Sequence, residues 1–172
     1  MLHDQIIRDL SYNEYNYDQL LEEIKRLDSL GAEFFIGTDS QVIKKNISIV
    51  TCICAILSTG NRIFYVKEKI DKRKLKSLRM PDYIIEQTKN NSALRMRMLL
   101  EAYRSIEVAM EIEPYIKNRL SIHLDVGEDF GKNKSSIAQK ELQFLVQSQG
   151  YSCAIKPDAW AASCVADKFT KS

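Results

Sequence analysis

The sequence contains few residues that interrupt regular structure, with six glycines and three prolines among 172 residues. It has no repeat, no low-complexity stretch and no segment rich in proline, glycine and serine, so it offers no linker at which to divide it. The apolar content of 45% is enough for one core of ordinary size. We therefore predict a single domain over residues 1–172, in which residues 1–31 form a helical extension packed on the remainder.

Long apolar runs and a targeting segment are also missing. The longest apolar run, Ile47 to Leu57, is interrupted by two hydroxyl residues and is half as long as the roughly 20 residues that a membrane span requires. Residues 1–5 do not provide the basic head of a secretory signal, and no apolar segment follows them. These absences predict a cytoplasmic protein with no membrane association.

The four cysteines show neither the spacing of a zinc site nor a Cys-x-x-Cys motif. Cys52 and Cys54 are two residues apart in an apolar stretch, and in a strand this spacing turns both side chains to the same face. We expect reduced thiols in the core rather than disulfides or metal ligands.

Hydrophobic periodicity and turn residues predict alternating strands and helices. The predicted helices are Asp18 to Leu30, Ala93 to about Pro114, Ser135 to Gly150 and Ala159 to Thr170, and the predicted strands are Glu33 to Asp39, Ile47 to Leu57, Arg62 to Val66, Leu120 to Asp125 and Tyr151 to Ile155. Apart from the first helix, the order is β-β-β-α-β-α-β-α. It predicts an α/β fold with a five-stranded mixed sheet, in which three antiparallel strands precede two βα crossovers and helices flank the sheet.

Two of these strands are predicted to end in an aspartate, Asp39 in Gly-Thr-Asp-Ser-Gln and Asp125 in His-Leu-Asp-Val-Gly. Reactive groups in α/β sheets collect beyond the carboxyl ends of the strands, so the two carboxylates would meet if their strands are neighbours. A single aspartate at such a position more often begins a turn. Two carboxylates side by side repel each other unless a cation lies between them. Hard oxygen ligands of this kind suit Mg²⁺ or Mn²⁺.

These two segments, the strand order and the segment Lys-Pro-Asp-Ala-Trp-Ala-Ala-Ser-Cys-Val-Ala-Asp-Lys-Phe-Thr-Lys over residues 156–171 resemble the ribonuclease H-like superfamily. Within that superfamily they are most similar to the YkuK-like bacterial family. The resemblance runs from Gly31 to nearly the last residue, and its most specific parts are the Lys-Pro-Asp-Ala-Trp and Val-Ala-Asp pieces. It implies a ribonuclease H-like fold and metal-dependent chemistry on nucleic acid.

The resemblance also implies which carboxylates bind metal. Asp39 and Asp125 match the two strand aspartates of the superfamily directly. The superfamily takes a glutamate from the first long helix, but the usual Asn-x-x-Met-Glu pattern is missing here and Glu101, Glu107 and Glu111 all lie on that helix. We expect Glu101 to take this role because it interrupts a stretch rich in methionine and leucine, and we keep Glu107 in reserve.

The last carboxylate of the set is expected to be Asp167, in Val-Ala-Asp within the final helix, with Asp158 as the alternative ligand. The two are nine residues apart, which on one regular helix puts them on opposite faces roughly 13 Å apart. Asp158 also suits a helix N-cap. The implied mechanism uses two Mg²⁺ or Mn²⁺ ions ~4 Å apart, bridged by Asp39, one activating water and one stabilising the leaving oxygen. His123 is assigned no role.

The expected function is a nuclease that hydrolyses phosphodiester bonds of RNA or DNA. A 3′–5′ exonuclease of this fold would usually have a glutamate where Gln41 stands, and the chain is too short for the two domains of an actin-like or sugar-kinase ATPase. The alternative from another class is a non-catalytic module that binds nucleic acid or protein, since a fold does not fix a function.

Charge is distributed unevenly, although the net charge of +2 is too small to indicate a polyanionic partner by itself. From Lys67 to Arg79, seven of thirteen residues are Lys or Arg and only two are acidic. We predict that this segment binds the nucleic-acid backbone through Lys72, Arg73, Lys74, Lys76 and Arg79. The alternative is a charged loop that serves only solubility.

Overall fold

Residues 1–77, 93–126 and 135–170 are described by the computed structural model of the chain. The strands are β1 (Ile7–Asp9), β2 (Glu14–Tyr15), β3 (Glu33–Ile43), β4 (Asn46–Leu57), β5 (Gly60–Asp71), β6 (Leu120–Leu124) and β7 (Ser152–Ala154). The α-helices are α1 (Tyr17–Ser29), α2 (Ala93–Ile112), α3 (Ser135–Ser148) and α4 (Asp167–Thr170). A π-helical segment, Ala161–Ala166, leads directly into α4, and short 3₁₀ helices cover Leu2–Asp4, Lys72–Ser77 and Glu113–Tyr115.

All seven strands belong to one mixed sheet with the order β2-β1-β5-β4-β3-β6-β7. The strands β3, β4 and β5 are antiparallel, and β6 and β7 continue the sheet in parallel with β3. This arrangement confirms the predicted α/β fold, with three antiparallel strands followed by two crossovers, but the described sheet has seven strands instead of the five predicted. Residues 1–31 are not purely helical, because β1 and β2 extend the sheet beyond β5. Strands of three and two residues are too short to show an alternating pattern.

Two of the long strands extend further than their apolar runs. The prediction that Asp39 ends its strand is wrong, because β3 continues to Ile43, and β5 continues past Val66 to Asp71. The cause is β4, which pairs with both strands along their whole length, so that Asn46 lies opposite Ile43 on one side and Asp71 on the other. Ladder hydrogen bonds thus keep polar segments extended that the side-chain pattern alone assigns to loops.

Helix α1 begins with a capping box at Asn16. The Asn16 side chain accepts a hydrogen bond from the backbone N–H of Gln19, and the Gln19 side chain accepts one from the backbone N–H of Asn16, both at 2.9 Å. Gly31 follows the helix with a positive φ of 83°, which a glycine adopts without strain. None of the helices in the described parts of the chain is long and apolar enough to cross a membrane.

The two faces of the sheet have separate hydrophobic clusters. Helices α1, α2 and α3 cover one face, where Phe34 and Ile36 are buried. The C-terminal segment packs on the other face, and that cluster consists of Val50, Cys52, Cys54, Tyr65, Ala161, Ala166 and Phe169. Both cysteines are buried free thiols on the same face, as the spacing predicts. Successive residues of β3 therefore alternate between two layers of the protein.

Gly37 allows the C-terminal segment to lie directly against β3. A Cβ atom at this position would come within 2.3 Å of the Ala162 amide nitrogen and 2.6 Å of the Ala161 carbonyl carbon. Backbone therefore contacts backbone here, with no side chain between them. The final helix is not the single regular helix that the sequence predicts, since it starts as the π-helical segment and becomes α-helical only at Asp167.

Candidate active site

The two predicted strand aspartates occupy neighbouring positions in the sheet. The last parallel pair between β3 and β6 joins Thr38 to Leu124, and the next residue on each side is Asp39 and Asp125. Beyond this pair β6 has ended while β3 continues. The two carboxylates thus lie where the strand order of the sheet changes direction, which is where α/β folds collect ligands.

Asp39 faces the C-terminal layer, where it is 9% exposed. The Thr170 hydroxyl donates a hydrogen bond of 2.8 Å to its Oδ2 atom. Burial raises the pKa of Asp39 above its ordinary value of 3.8, the Thr170 hydrogen bond opposes that rise, and the negative charges of Asp125 and Asp167 add to it. The acidic groups therefore share one electrostatic environment.

Glu101 approaches from α2 on the other side of β3. It is buried, and the hydroxyl of Ser40 donates a 2.5 Å hydrogen bond to its Oε1 atom. Burial raises the pKa of Glu101 from 4.5 to about 8; the Ser40 hydrogen bond and Arg97 lower it, whereas the charges of Asp39 and Asp125 raise it further. The carboxyl group of Glu101 is thus mostly protonated at neutral pH in the metal-free protein.

Arg97 holds both the backbone and the side chain of Ser40, the residue that follows Asp39. Its Nε donates a 2.9 Å hydrogen bond to the Ser40 hydroxyl, and one terminal nitrogen donates to the Ser40 carbonyl oxygen. The guanidinium also lies 3.8 Å from the Glu101 carboxylate, one helical turn away. Ser40 and Arg97 were not among the sequence predictions, and their positions i+1 to Asp39 and i−4 to Glu101 are the signal that could have identified them.

The reserve glutamate, Glu107, belongs to a different cluster. Arg104 forms an ion pair with Glu107 and donates a second hydrogen bond, at 3.1 Å, to Glu68 on β5. Glu111, further along the helix, accepts hydrogen bonds from the N-terminal amine and from the backbone of Leu2. Of the three glutamates considered, Glu101 is the one placed beside Asp39.

Asp125 is paired with a lysine from the loop that follows β7. The Lys156 ammonium nitrogen lies 2.7 Å from Asp125 Oδ1. This contact is an ion pair without hydrogen-bond alignment, because Oδ1 is buried and has no hydrogen-bond partner within the described residues. Lys156 is the first residue of the Lys-Pro-Asp-Ala-Trp motif, and its sequence position alone indicates no role for it.

The two candidates for the last carboxylate lie in different surroundings. Asp167, the first residue of α4, contributes to the raised pKa of Asp39. Asp158 is exposed in a turn, where its backbone N–H donates a 2.8 Å hydrogen bond to the Ile155 carbonyl, and its charge acts on His123. The structure therefore brings Asp167 to Asp39 and leaves Asp158 beside the histidine.

His123 holds the start of the π-helical segment. Its Nδ1 accepts a 3.2 Å hydrogen bond from the Ala161 backbone N–H, and its ring packs against Phe35 and Trp160. Burial lowers the pKa of His123 to about 4, with a further lowering by Arg119 that Asp158 opposes. The imidazole is neutral here, because Nδ1 accepts a hydrogen bond and therefore carries no proton.

The chemistry of these side chains suits a hard divalent cation, but within the described residues they are not arranged as three ligands around one position. Asp39, Glu101, Asp125 and Asp167 offer only carboxylate oxygens, which Mg²⁺ and Mn²⁺ prefer. In residues 1–77, 93–126 and 135–170, however, no three Asp, Glu, His or Cys side chains are arranged so that they could hold a metal ion. The carboxylates are instead held by hydrogen bonds and ion pairs within the protein.

The basic segment is divided between β5 and the 3₁₀ helix that follows it. Lys72, Arg73 and Lys74 are exposed, but the Arg73 guanidinium is ion-paired with Asp71 at 2.6 Å. Lys67, which the sequence places in the same basic run, donates a 3.0 Å hydrogen bond to the Phe169 carbonyl in α4. The remaining two predicted contacts, the Lys76 side chain and all of Arg79, lie outside the described residues.

Comparison with known proteins gives one match. The sequence model of a protein family described as Ribonuclease H-like matches residues 82–171, which include α2, β6, β7 and the C-terminal segment. No curated protein and no solved structure matches the chain.

Proposed function

Because the chain belongs to the ribonuclease H-like family, we propose that it is a nuclease that uses Mg²⁺ or Mn²⁺ to hydrolyse phosphodiester bonds of RNA or DNA. The observation that carries this proposal is that Asp39 and Asp125 follow the last residue pair between β3 and β6. The charge of Asp167 helps to raise the pKa of Asp39, and the charges of Asp39 and Asp125 help to raise the pKa of Glu101. Carboxylates that repel each other at the switch point of a sheet lower the stability of the protein. A cation bound between them would remove this repulsion.

Two of the four proposed ligands, Asp39 and Glu101, are oriented by neighbouring hydroxyl groups. Thr170 holds one oxygen of Asp39, and Ser40 holds one oxygen of Glu101. A cation would bind these carboxylates through the remaining lone pairs of their oxygens. When bound, the two ions would activate a water molecule and stabilise the leaving oxygen. Glu101 would have to release its proton first, since a carboxylate binds metal in its charged form.

The basic segment, Lys67 to Arg79, would bind the phosphates of a nucleic acid next to these carboxylates. Lys72 and Lys74 are exposed and lie beyond the end of β5, and Arg73 would have to exchange Asp71 for a phosphate. Phosphate contacts release counterions, so each one adds roughly 0.7 to 0.9 to the slope of log affinity against log salt. Replacing Lys72, Arg73 and Lys74 by Ala should therefore reduce that slope by about two to three units. An unchanged slope would make this segment an ordinary charged surface.

The direct test of activity incubates the purified chain with labelled single-stranded, duplex and hybrid oligonucleotides in Mn²⁺ or in EDTA. We expect cleavage in Mn²⁺ only, and we expect Asp39→Asn to abolish it while thermal unfolding in EDTA stays cooperative. Asp18→Asn is the matched control, because it removes the same charge from an exposed position in the first turn of α1. Equal cleavage by Asp39→Asn and the wild type would refute the proposed mechanism.

A non-catalytic nucleic-acid-binding module is the second candidate. The observation that favours it is the lack of a ready three-ligand metal site in the described parts of the chain. In that case the wild type would bind an oligonucleotide but leave it uncut in every metal tried, and Asp39→Asn would bind it equally well. The same gel and binding measurements therefore decide between the two functions.

A further inference from the structure

The ion pair between Lys156 and Asp125 has two unequal partners. The Asp125 side chain is only 19% exposed, whereas the Lys156 side chain is 46% exposed. Asp125 is one of four neighbouring acidic residues that we call the acidic group, the others being Asp39, Glu101 and Asp167. Lys156 comes from the loop after β7. A long, half-exposed side chain thus supplies positive charge to a partly buried carboxylate from outside the sheet.

The backbone keeps Lys156 at this position. Its N–H donates a 3.1 Å hydrogen bond to the carbonyl of Val126, the residue directly after Asp125. One residue beyond the adjacent proline, the Asp158 N–H closes a turn onto Ile155 at 2.8 Å. The main chain of the lysine is therefore anchored next to its carboxylate partner, while the four-carbon stem has rotatable bonds through which the ammonium could reach another partner.

A divalent cation and the lysine ammonium would compete for the same atom. Lys156 Nζ lies 2.7 Å from Oδ1 of Asp125, the oxygen that has no hydrogen-bond partner within the described residues. Placing an ion and an ammonium group together on that oxygen would bring two positive charges into contact, which costs free energy in a partly buried site. On that oxygen, binding of the cation displaces the ammonium.

We propose that Lys156 exchanges partners, neutralising Asp125 in the metal-free protein and contacting a backbone phosphate of the nucleic acid once a divalent cation has taken its place. The proposal rests on the proposed function, since it needs a cation at Asp125 and a nucleic acid nearby. It makes Lys156 a substrate-contacting residue that arrives at the phosphate only when metal is bound. The displaced ammonium would stay close to the site because the Lys156 backbone is hydrogen-bonded to Val126.

The first test measures Mn²⁺ binding by calorimetry without nucleic acid. Lys156→Ala removes the competitor, so Mn²⁺ should bind about fivefold more tightly, which corresponds to an ion pair worth about 1 kcal/mol. Lys156→Arg keeps the charge and should bind Mn²⁺ like the wild type. Lys117→Ala is the matched control, because this exposed lysine precedes β6, at the opposite end of the strand from Asp125. It should leave the affinity unchanged.

The second test measures binding of a fluorescent single-stranded oligonucleotide at several salt concentrations, in Ca²⁺ and in EDTA, with gels to confirm that it stays intact. In Ca²⁺ we expect Lys156→Ala to lower the salt slope by roughly 0.7, the value for one phosphate contact on a single strand. In EDTA its slope should equal that of the wild type, because Lys156 is then occupied by Asp125. Lys117→Ala should match the wild type in both.

The outcomes separate this proposal from the one it rests on. Wild-type Mn²⁺ affinity in Lys156→Ala, or a slope reduced equally in Ca²⁺ and EDTA, would overturn the exchange while the nuclease proposal stands. A wild-type protein that binds no Mn²⁺ would refute both proposals. Tighter Mn²⁺ binding together with a slope reduced only in Ca²⁺ supports the exchange.

Discussion

Replacing Glu101 by Gln tests the electrostatics of the acidic group without any substrate. The pKa of Glu101 is about 8 in the folded protein against an ordinary value of 4.5. The folded state therefore holds a proton that the unfolded chain has already released. Stability from this proton is fully present below pH 4.5 and is lost as the pH rises through about 8. The wild type should become less stable across this window in EDTA.

The size of the effect follows from proton linkage. One proton held only by the folded state changes the free energy of unfolding by about 1.4 kcal/mol per pH unit. Between pH 6.5 and 8 the loss should be roughly 1–2 kcal/mol, which is less than the full slope because the proton is half released at the upper limit. Gln keeps the volume and an acceptor for the Ser40 hydroxyl but does not titrate. Glu101→Gln should therefore remove this part of the pH dependence.

Urea unfolding in EDTA at a series of pH values measures the difference. Glu107→Gln is the matched control, since it removes a glutamate from the same helix but from the cluster around Arg104. It is expected to lose some stability and to keep the wild-type slope. If the curves of wild type and Glu101→Gln ran parallel from pH 6.5 to about 8, Glu101 would not be a protonated buried acid, and this account of the acidic group would be wrong.

Three further predictions follow from the same structure. Gly37→Ala puts a Cβ within 2.3 Å of the Ala162 nitrogen, so we expect a loss of about 1–3 kcal/mol in urea unfolding together with reduced cleavage; full activity and stability would contradict the close contact. Mn²⁺ affinity should rise about tenfold per pH unit below pH 8 in calorimetry, because Glu101 must lose one proton, and an affinity independent of pH would argue against Glu101 as a ligand. Burial lowers the pKa of His123 to about 4, so this residue contributes stability that is present above pH 6.5 and lost as the pH falls through about 4. The stability of His123→Asn, measured by urea unfolding, should lack this loss at acidic pH. If the variant and the wild type lost stability equally, His123 would not be the cause of the loss.

The main features of the fold could be predicted because each depends on local sequence. A continuous apolar run followed by turn residues indicates β4 and the hairpin to β5, and apolar residues at helical spacing with a glycine after them indicate α1. The order of elements then fixes a mixed sheet with right-handed crossovers. The extra length of β3 and the edge strands β1 and β2 could not be predicted, because pairing with a distant strand holds these short or polar segments in the sheet.

The candidate site was only partly predictable for a similar reason. Asp39 and Asp125 could be identified because each comes at or soon after the end of an apolar run, in strands that the topology makes neighbours. Choosing Glu101 over Glu107 depends on which face of α2 meets Ser40, and the sequence has three glutamates on that helix. Lys156 comes from a loop whose path depends on tertiary contacts. No local pattern reveals such a partner.

The alternation along β3 has a consequence for how the protein unfolds. Asp39 contacts the C-terminal layer and Ser40 contacts α2, although the two layers have separate hydrophobic clusters on opposite faces of the sheet. Units that share few contacts can open independently, and amide exchange would then report two different protection levels. A ligand that bound Asp39 and Glu101 together would link both layers through one strand. The α2 amides and those of the C-terminal segment would then open as one cooperative unit.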